Sequence, residues 1–461
     1  MNIYKEIACA VKRIAAFDIQ SRKASEELAE IISNVTTSLK SGNFDFGKCT
    51  SLILKQNGKK RRVKRYEDIY STENVLCLCI KQILDKAFKI KYPNRNKTMK
   101  ELFSILPTAV QMSDFTIIKF DFEDYFNSVS AEYVFEKYIR LKLHDRVISG
   151  LVKCYVDSTH YAYAGLCTSN AIAEIIASYF DEAIRETFAS KGVIYYQRYI
   201  DDSFLILNEH IESSEIEAIL KNIIADIFHD RNITCHAICK TRLNDQKYKY
   251  ISKRSIKAQG ISVIDFLGYE FNFLLDTKNR VKIKYGITEA KRLKYTAKLD
   301  KIISCFTNFN SPDYNNLELL RHRVAAFSSR VVYITKRFRS NIWNVRGFIS
   351  NYGELRYLLD DTLIEKNTEA FLKNMINEAF DKAHVQRPYF LMNGSLGCGY
   401  NLYQNMKQNK TLVLVRNIGY DNKSIIALCK KIGINEIDAN GKHRGYGSLV
   451  RDYLIKVKIG Y

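Results

Sequence analysis

Proline is scarce in this 461-residue chain: four occur, about a fifth of the number that average usage would supply. No Pro, Gly or Ser tract stands out as a linker, so the chain is expected to form packed subdomains rather than beads on a string. CxxC pairs are absent, and the eleven cysteines are odd in number and scattered. This argues against a disulfide framework and for a reducing, cytoplasmic setting. The tightest cluster, Cys235, His236 and Cys239, lacks a second ligand pair at metal-like spacing, so zinc is not expected. Long apolar runs are missing too. No stretch approaches the roughly 18 to 20 residues that a spanning helix needs, and the N-terminus interrupts its apolar content with charges every few residues, unlike a signal peptide.

What is abundant is positive charge. Lys plus Arg number 71 against 50 Asp plus Glu, a formal charge of +21, while 46% of residues are hydrophobic and 12% aromatic. A disordered basic tail is excluded by that apolar content. A folded chain this basic implies a polyanionic partner, nucleic acid or an anionic membrane surface. The membrane reading would need a basic amphipathic face with exposed aromatics, and no membrane partner is expected. The length corresponds to roughly three domains.

The first 40 or so residues carry an amphipathic helical pattern. Residues 51–65 place Asn57-Gly58 between an apolar and a basic run, a hairpin signal because both residues tolerate positive φ; it carries Lys55, Lys59, Lys60, Arg61, Arg62, Lys64 and Arg65. Val75, Leu76, Cys79, Ile80, Ile83, Leu84, Ala87 and Phe88 draw one apolar stripe on a helix. Residues 115–122 form a buried strand ending in an acidic step, and 168–188 a helix begun by a hydroxyl cap. VIYYQRYI and SFLIL are β-rich runs separated by Asp201-Asp202, a hairpin with both carboxylates at its tip. A helix at 212–229 and a strand at 233–239 follow. That order predicts an α+β fold with an antiparallel sheet.

Adjacent acids on a hairpin tip repel one another, and a cation relieves the repulsion. Asp121 ends another apolar strand 80 residues earlier. If the two strands are neighbours, three carboxylates meet, and such hard oxygen donors suit two Mg²⁺ ions, with Mn²⁺ as a substitute. Two metals about 3.5 to 4 Å apart serve phosphoryl transfer.

Tyr199-Ile200-Asp201-Asp202, within QRYIDDSFLIL, resembles the palm motif C of reverse transcriptases. Residues Lys119 to Val129, KFDFEDYFNSV, resemble motif A. Gly165-Leu166-Cys167-Thr168-Ser169-Asn170 is similar to motif B, with Asp181 where the following helix often has an acid. Lys240-Thr241-Arg242 is similar to motif D, and Phe266-Leu267-Gly268-Tyr269 to motif E. Five motifs in order over about 150 residues are far more specific than YxDD alone. The sequence departs from bacterial relatives at Asn127, Cys167 and Asn170, where proline is frequent.

The resemblance implies a right-hand polymerase: an N-terminal helical segment (1–45), fingers (46–115), palm (116–275), thumb (276–345) and a helical or mixed C-terminal extension of unknown role (346–461). It implies a nucleotidyltransferase using Asp121, Asp201 and Asp202 as metal ligands. Phe126 would be the steric gate against a ribose 2′-OH. Arg61 or Arg62 would approach the nucleotide, Ser169 would shape the templating pocket, Lys240 would donate a proton or meet pyrophosphate, and Phe266, Leu267 and Gly268 would grip the primer. The implied partners are an RNA template, a DNA primer or product and deoxynucleotides, with a homo-oligomer or accessory protein open. Basic and aromatic residues interleave over 283–300, and a basic helix-like stretch runs through Arg321, Arg323, Arg330, Lys336, Arg337 and Arg339, as a thumb tracking phosphates would show. The compact chain looks most like retron, abortive-infection and other defence-associated bacterial reverse transcriptases, in which a noncoding RNA often supplies the template. Two alternatives stay open: a noncatalytic nucleic-acid-binding palm, and a template-independent or protein-primed DNA polymerase.

Overall fold

The computed structural model describes residues 2–17, 23–56, 59–308, 316–337, 340–359, 362–392, 399–438 and 441–458. The chain divides into two compact units, Met1–Ser255 and Ile256–Tyr461. That division falls inside the 116–275 stretch expected as palm. Both units mix helices with mostly antiparallel sheets, the α+β class that the element order predicts.

In the first unit, the helical N-terminus is two helices, Ile3–Phe17 and Ser25–Ser41. Strands β1 (Thr50–Gln56) and β2 (Lys59–Arg65) pair antiparallel from Thr50↔Arg65 to Gln56↔Lys59. The expected Asn57-Gly58 turn lies outside the described residues. The Thr72–Ala87 helix follows, capped by the Ser71 side chain, which accepts from the Asn74 amide. Its apolar stripe from Val75 to Leu84 is buried, as the 3.6-residue spacing predicts.

Four strands build the main sheet: β3 (Thr116–Phe120), β4 (Val193–Tyr199), β5 (Asp202–Leu207) and β6 (Lys249–Ser252), in the order β4-β5-β3-β6 with every pair antiparallel. Every residue of β3 is buried, Thr116 and Lys119 included, which explains why its apolar residues do not alternate with exposed polar ones. Beyond β3, Phe122 stacks on Tyr125 (centroids 5.1 Å apart) and meets Phe180 and Phe228 at 5.1 and 5.5 Å. Those two rings come from the Cys167–Ala189 and Ser213–Phe228 helices. Phe120 also meets Phe180. With Phe120 and Phe122 drawn to the helices, the alternation of an extended chain turns Asp121 to the opposite side.

Two local expectations are corrected here. Residues 233–239 form no strand, because the buried Glu132 carboxylate accepts from the amides of His236 and Ala237 at 3.0 and 3.1 Å and holds them in a loop. The Cys167–Ala189 helix has no hydroxyl cap; Thr168 instead donates its hydroxyl to the carbonyl of Cys77 at 2.7 Å.

The second unit holds an antiparallel sheet of β7 (Ile261–Phe266), β8 (Tyr269–Leu275) and β9 (Val281–Ile287). A second sheet, β11-β10-β12, comprises β10 (Arg330–Arg337), β11 (Ser340–Arg346) and β12 (Thr411–Leu414), with β12 parallel to β10. Helices Glu289–Thr307, Leu317–Ser328, Lys366–Lys382, Asn422–Lys431 and Tyr446–Val457 complete it. The basic stretch from Arg321 to Arg339 is thus not one helix: it turns to strand after Ser328, where the β-branched run from Val331 to Thr335 favours extended chain. The Asn422–Lys431 helix is followed closely by Gly433, which has φ +74°. Among the described residues, no helix is long and apolar enough to cross a membrane.

Candidate functional site

The β4–β5 hairpin closes at the pair Tyr199↔Asp202, leaving Ile200 and Asp201 as a two-residue loop. Asp201 therefore stands at the tip, while Asp202 is the first residue of β5, one step inside it. Ile200 takes φ +63°. A tight hairpin turn asks for positive φ at its first loop position, where glycine is at ease and a β-branched residue is strained.

That strained turn is held from below by Arg198, whose side chain is 2% exposed. Its Nη1 donates to the Ile200 carbonyl at 2.7 Å. Nε and Nη2 fork onto Asp181 at 2.9 and 3.0 Å, and Nη2 and Nη1 bond Glu174 at 2.8 and 3.2 Å. Tyr196 adds its hydroxyl to Asp181 at 2.7 Å. Asp181 and Glu174 both lie on the Cys167–Ala189 helix, so this ion network ties the turn to the longest helix of the unit. A planar guanidinium satisfies two carboxylates and a carbonyl at once, which an ammonium cannot do.

Antiparallel pairing of β3 with β5 ends at Phe120↔Ser203. Continuing that register by one residue sets Asp121 beside Asp202, the meeting that the sequence anticipates. Asp121 has no exposed surface, and its Oδ1 is buried without a hydrogen-bond partner. Its Oδ2 is ion-paired with Lys247. Burial pushes the Asp121 carboxyl above its usual range, the Lys247 ammonium draws it back, and the Asp201 charge pushes it up again. Asp202 is raised to about 6, first by burial, then by the charge of Asp201, with a smaller push from Asp121. For Lys247, burial works against the charged form but the bond to Asp121 outweighs it, and its pKa rises. Three acids feeling one another in a partly dry site are a concentration of negative charge that Lys247 and Lys119 together offset only in part.

Lys247 was not among the residues singled out from the sequence. It arrives on a single 3-10 turn, Asp245–Lys247. The chain just before that turn runs beside the Asp121 loop: Phe122 bridges Leu243, Glu123 N donates to Arg242 O at 3.0 Å, and Asn244 N donates to Asp121 O at 2.9 Å. Lys240, the residue expected to meet pyrophosphate, sits instead with its ammonium 5.3 Å from the Tyr161 ring centroid. The expectation rested on the likeness of Lys240-Thr241-Arg242 to motif D; Lys247 comes from the 3-10 turn that follows.

The remaining predicted residues are distributed as follows. Tyr125 is buried, its hydroxyl donating to Ala173 O at 2.8 Å, while Phe126 keeps part of its ring open. Arg62 is exposed on β2, and the Arg61 side chain lies outside the described residues. Ser169 has no exposed surface and can shape a pocket only from beneath. Gly165 takes φ +103° and a Cβ there would lie 2.3 Å from the Lys64 carbonyl oxygen. Lys64 N in turn donates to Ala164 O at 2.8 Å, and its ammonium lies 3.7 Å from the Tyr163 ring centroid, so the basic hairpin is docked at its base on the segment preceding the long helix. Phe266, Leu267 and Gly268 belong to the second unit. Phe266 is buried, and Leu267 and Gly268 form the tight β7–β8 turn with φ +49° and +88°. Cys235, His236 and Cys239 have separate partners: Cys235 Sγ donates to Ala237 O, His236 Nδ1 meets Glu132 and Cys239 Sγ accepts from Ser130 N.

These features define an α+β protein whose antiparallel sheet gathers three carboxylates at one end. No protein-family model matches the chain, and no curated protein sequence matches it. Matches among solved structures include apo telomerase from Candida tropicalis truncated from its C-terminal domain, at 13% identity and a TM-score of 0.33, covering 58% of this chain and 62% of that one. Telomerase from Candida tropicalis in complex with a TWJ fragment of telomeric RNA matches at 13% identity and a TM-score of 0.35, over 96% of this chain and 67% of that one. This chain spans less than two thirds of the first neighbour's length.

Proposed function

We propose that this chain is a reverse transcriptase, an RNA-directed DNA polymerase of right-hand architecture with fingers at 46–115, palm at 116–275 and thumb at 276–345. The observation that supports it is the meeting of Asp121 with Asp202 and the Asp201 turn, on paired strands whose sequences match motifs A and C. Acids at such a point, buried and mutually repelling, suit divalent cations and little else.

The donor set fits Mg²⁺. All three ligands are carboxylates, and the orphaned Oδ1 of Asp121 is a buried acceptor awaiting a partner. Among the described residues, no three His, Cys, Asp or Glu side chains close around one metal. Mg²⁺ takes one or two carboxylates and fills its shell with water and substrate phosphate. Asp121 and Asp201 would be the principal residues holding the cations and Asp202 a support; the cations would supply activation of a primer hydroxyl and stabilisation of the leaving oxygen. Arg198 holds the turn that presents Asp201, Lys247 balances Asp121, and Phe126 excludes the ribose 2′-OH. The chain's excess charge serves an RNA template and DNA product, and the RYxDD context suits a defence-associated enzyme using a noncoding RNA.

Primer extension on an RNA template with Mg²⁺ and deoxynucleotides tests this reading. Asp121→Asn and Asp201→Asn each abolish incorporation while the protein stays folded and binds nucleic acid. A folded variant with near wild-type incorporation removes that residue from the metal site. Sequencing the nucleic acid that copurifies with the protein identifies the template, and recovery of unrelated cellular RNA alone counts against a dedicated noncoding RNA.

A further inference from the structure

We propose that the outer face of the β10–β11 hairpin binds single-stranded nucleic acid, with Trp343 as the side chain on which a base stacks. Val331 and Tyr333 point into the core of the second unit, with Leu319, Leu414 and Tyr453. Strand alternation turns Val332 and Ile334 to the other face. Opposite them across the hairpin stand Val345 and Trp343, which are 39% and 55% exposed. An indole this open, set among aliphatic side chains on a sheet face, is a surface built for contact.

The charge around it selects the occupant. From 319 to 353 the chain carries seven Lys and Arg and no Asp or Glu; five of the seven, Arg330, Lys336, Arg337, Arg339 and Arg346, lie within the hairpin sequence. Residues 256–461 hold 33 Lys and Arg against 18 Asp and Glu, a net +15 that accounts for most of the chain's +21. A hairpin sequence rich in cations and free of acids, bearing an exposed indole in a unit of net charge +15, matches a polymer that alternates phosphates with flat rings. A duplex hides its base faces, whereas a single strand offers them. Because every base has a π-face, the surface should tolerate many sequences. Binding at this face does not depend on whether the carboxylate site is catalytic.

Trp343 is the chain's single tryptophan, so red-edge excitation that spares the 30 tyrosines reports on this face alone. Titrating the full chain with a uridine dodecamer should quench the indole emission to saturation, with an oligo(dT) of equal length doing the same and a blunt hairpin duplex having little effect. Raising the salt should weaken the titration steeply. Measured by anisotropy of a labelled dodecamer, Trp343→Leu should bind about tenfold more weakly and Trp343→Phe within about threefold of wild type, since a phenyl ring still stacks. Trp343 is exposed, so these variants leave the core of the unit intact, and the wild-type quench needs no variant at all. Binding of the dodecamer with unchanged indole emission overturns the proposal. So does an emission shift caused by phosphatidylglycerol vesicles but not by the oligomer, which makes the face a membrane surface, or one that follows protein concentration alone, which makes it a contact between copies of this chain.

Discussion

Lys247 and Asp121 form an ion pair across 126 positions of sequence, and the aspartate in that pair has no exposed surface while the lysine side chain is 43% exposed. The ammonium stands on the open side of a carboxylate whose other oxygen has no partner. Its position is the one a divalent cation entering from solvent would contest. Replacing Lys247 with Gln should therefore tighten binding of Mn²⁺, followed by electron paramagnetic resonance, by about fivefold, since a like charge a few ångströms away is removed in a partly screened site. Lys240→Gln is the control and should leave the titration unchanged, because its ammonium rests on Tyr161. Equal effects from both lysines would show that only overall charge matters.

Asp202 lends itself to a stability measurement. Folded, it takes up its proton at about 6 rather than 3.8. Between those values the folded chain binds the extra proton, so this group's contribution falls as pH rises through the window and its full cost is present above pH 6. Asp202→Asn should raise the unfolding free energy measured in urea at pH 7 by about 1–2 kcal/mol after allowing for partial solvent screening, and the difference should vanish near pH 4. A variant that is less stable at pH 7 would mean that the charge is balanced by groups other than Lys247 and Lys119.

The Arg198 network predicts the reverse sign. Arg198→Met strands Glu174 and Asp181 without their cation and should cost about 3–5 kcal/mol in urea unfolding. Arg198→Lys restores the charge but not the fork, and should recover part of the stability while leaving nucleotide incorporation low, because the Ile200 carbonyl loses its donor. Full recovery of both by lysine would reduce the arginine to a mere counter-charge.

Sugar selection rests on one ring. Phe126→Ala should retain some deoxynucleotide incorporation and raise the relative use of ribonucleotides by at least about tenfold, the equivalent of roughly 1.4 kcal/mol of discrimination. Tyr125→Ala should not shift that ratio; its hydroxyl is spent on Ala173 O and its ring on Phe122, so the damage should appear in stability. The opposite pattern would move the gate by one residue.

The acids were legible in the sequence because each lies at the end of a β-rich run or in the turn between two, and the pairing of β3 with β5 then brings them together. Residues 233–239 misled for the opposite reason: their alternation is genuine, but a single buried carboxylate, Glu132, claims the amides that a strand would need. No local pattern announces such a long-range acceptor. Lys247 was hidden because a 3-10 turn, not a periodic element, delivers it. Arg198 was visible only as a letter in RYxDD; its worth lies in Glu174 and Asp181, one turn and more apart on a helix that the sequence does identify. In the basic stretch from Arg321 to Arg339, charge drew attention away from the β-branched residues that decide its conformation.

Gly165 contributes no side chain to any of this, yet an added methyl group there would collide with the backbone of Lys64. Two segments a hundred residues apart thus meet at a point where neither has slack, with the acidic residues untouched. A screen for lost activity would score a substitution at 165 alongside those at Asp121 or Asp201. Divalent-cation binding would tell them apart: unaltered in the glycine variant, lost in the others. For anyone borrowing the basic hairpin for another scaffold, the cut must fall to include residues 163–165, since the hairpin's foundation lies outside its own sequence.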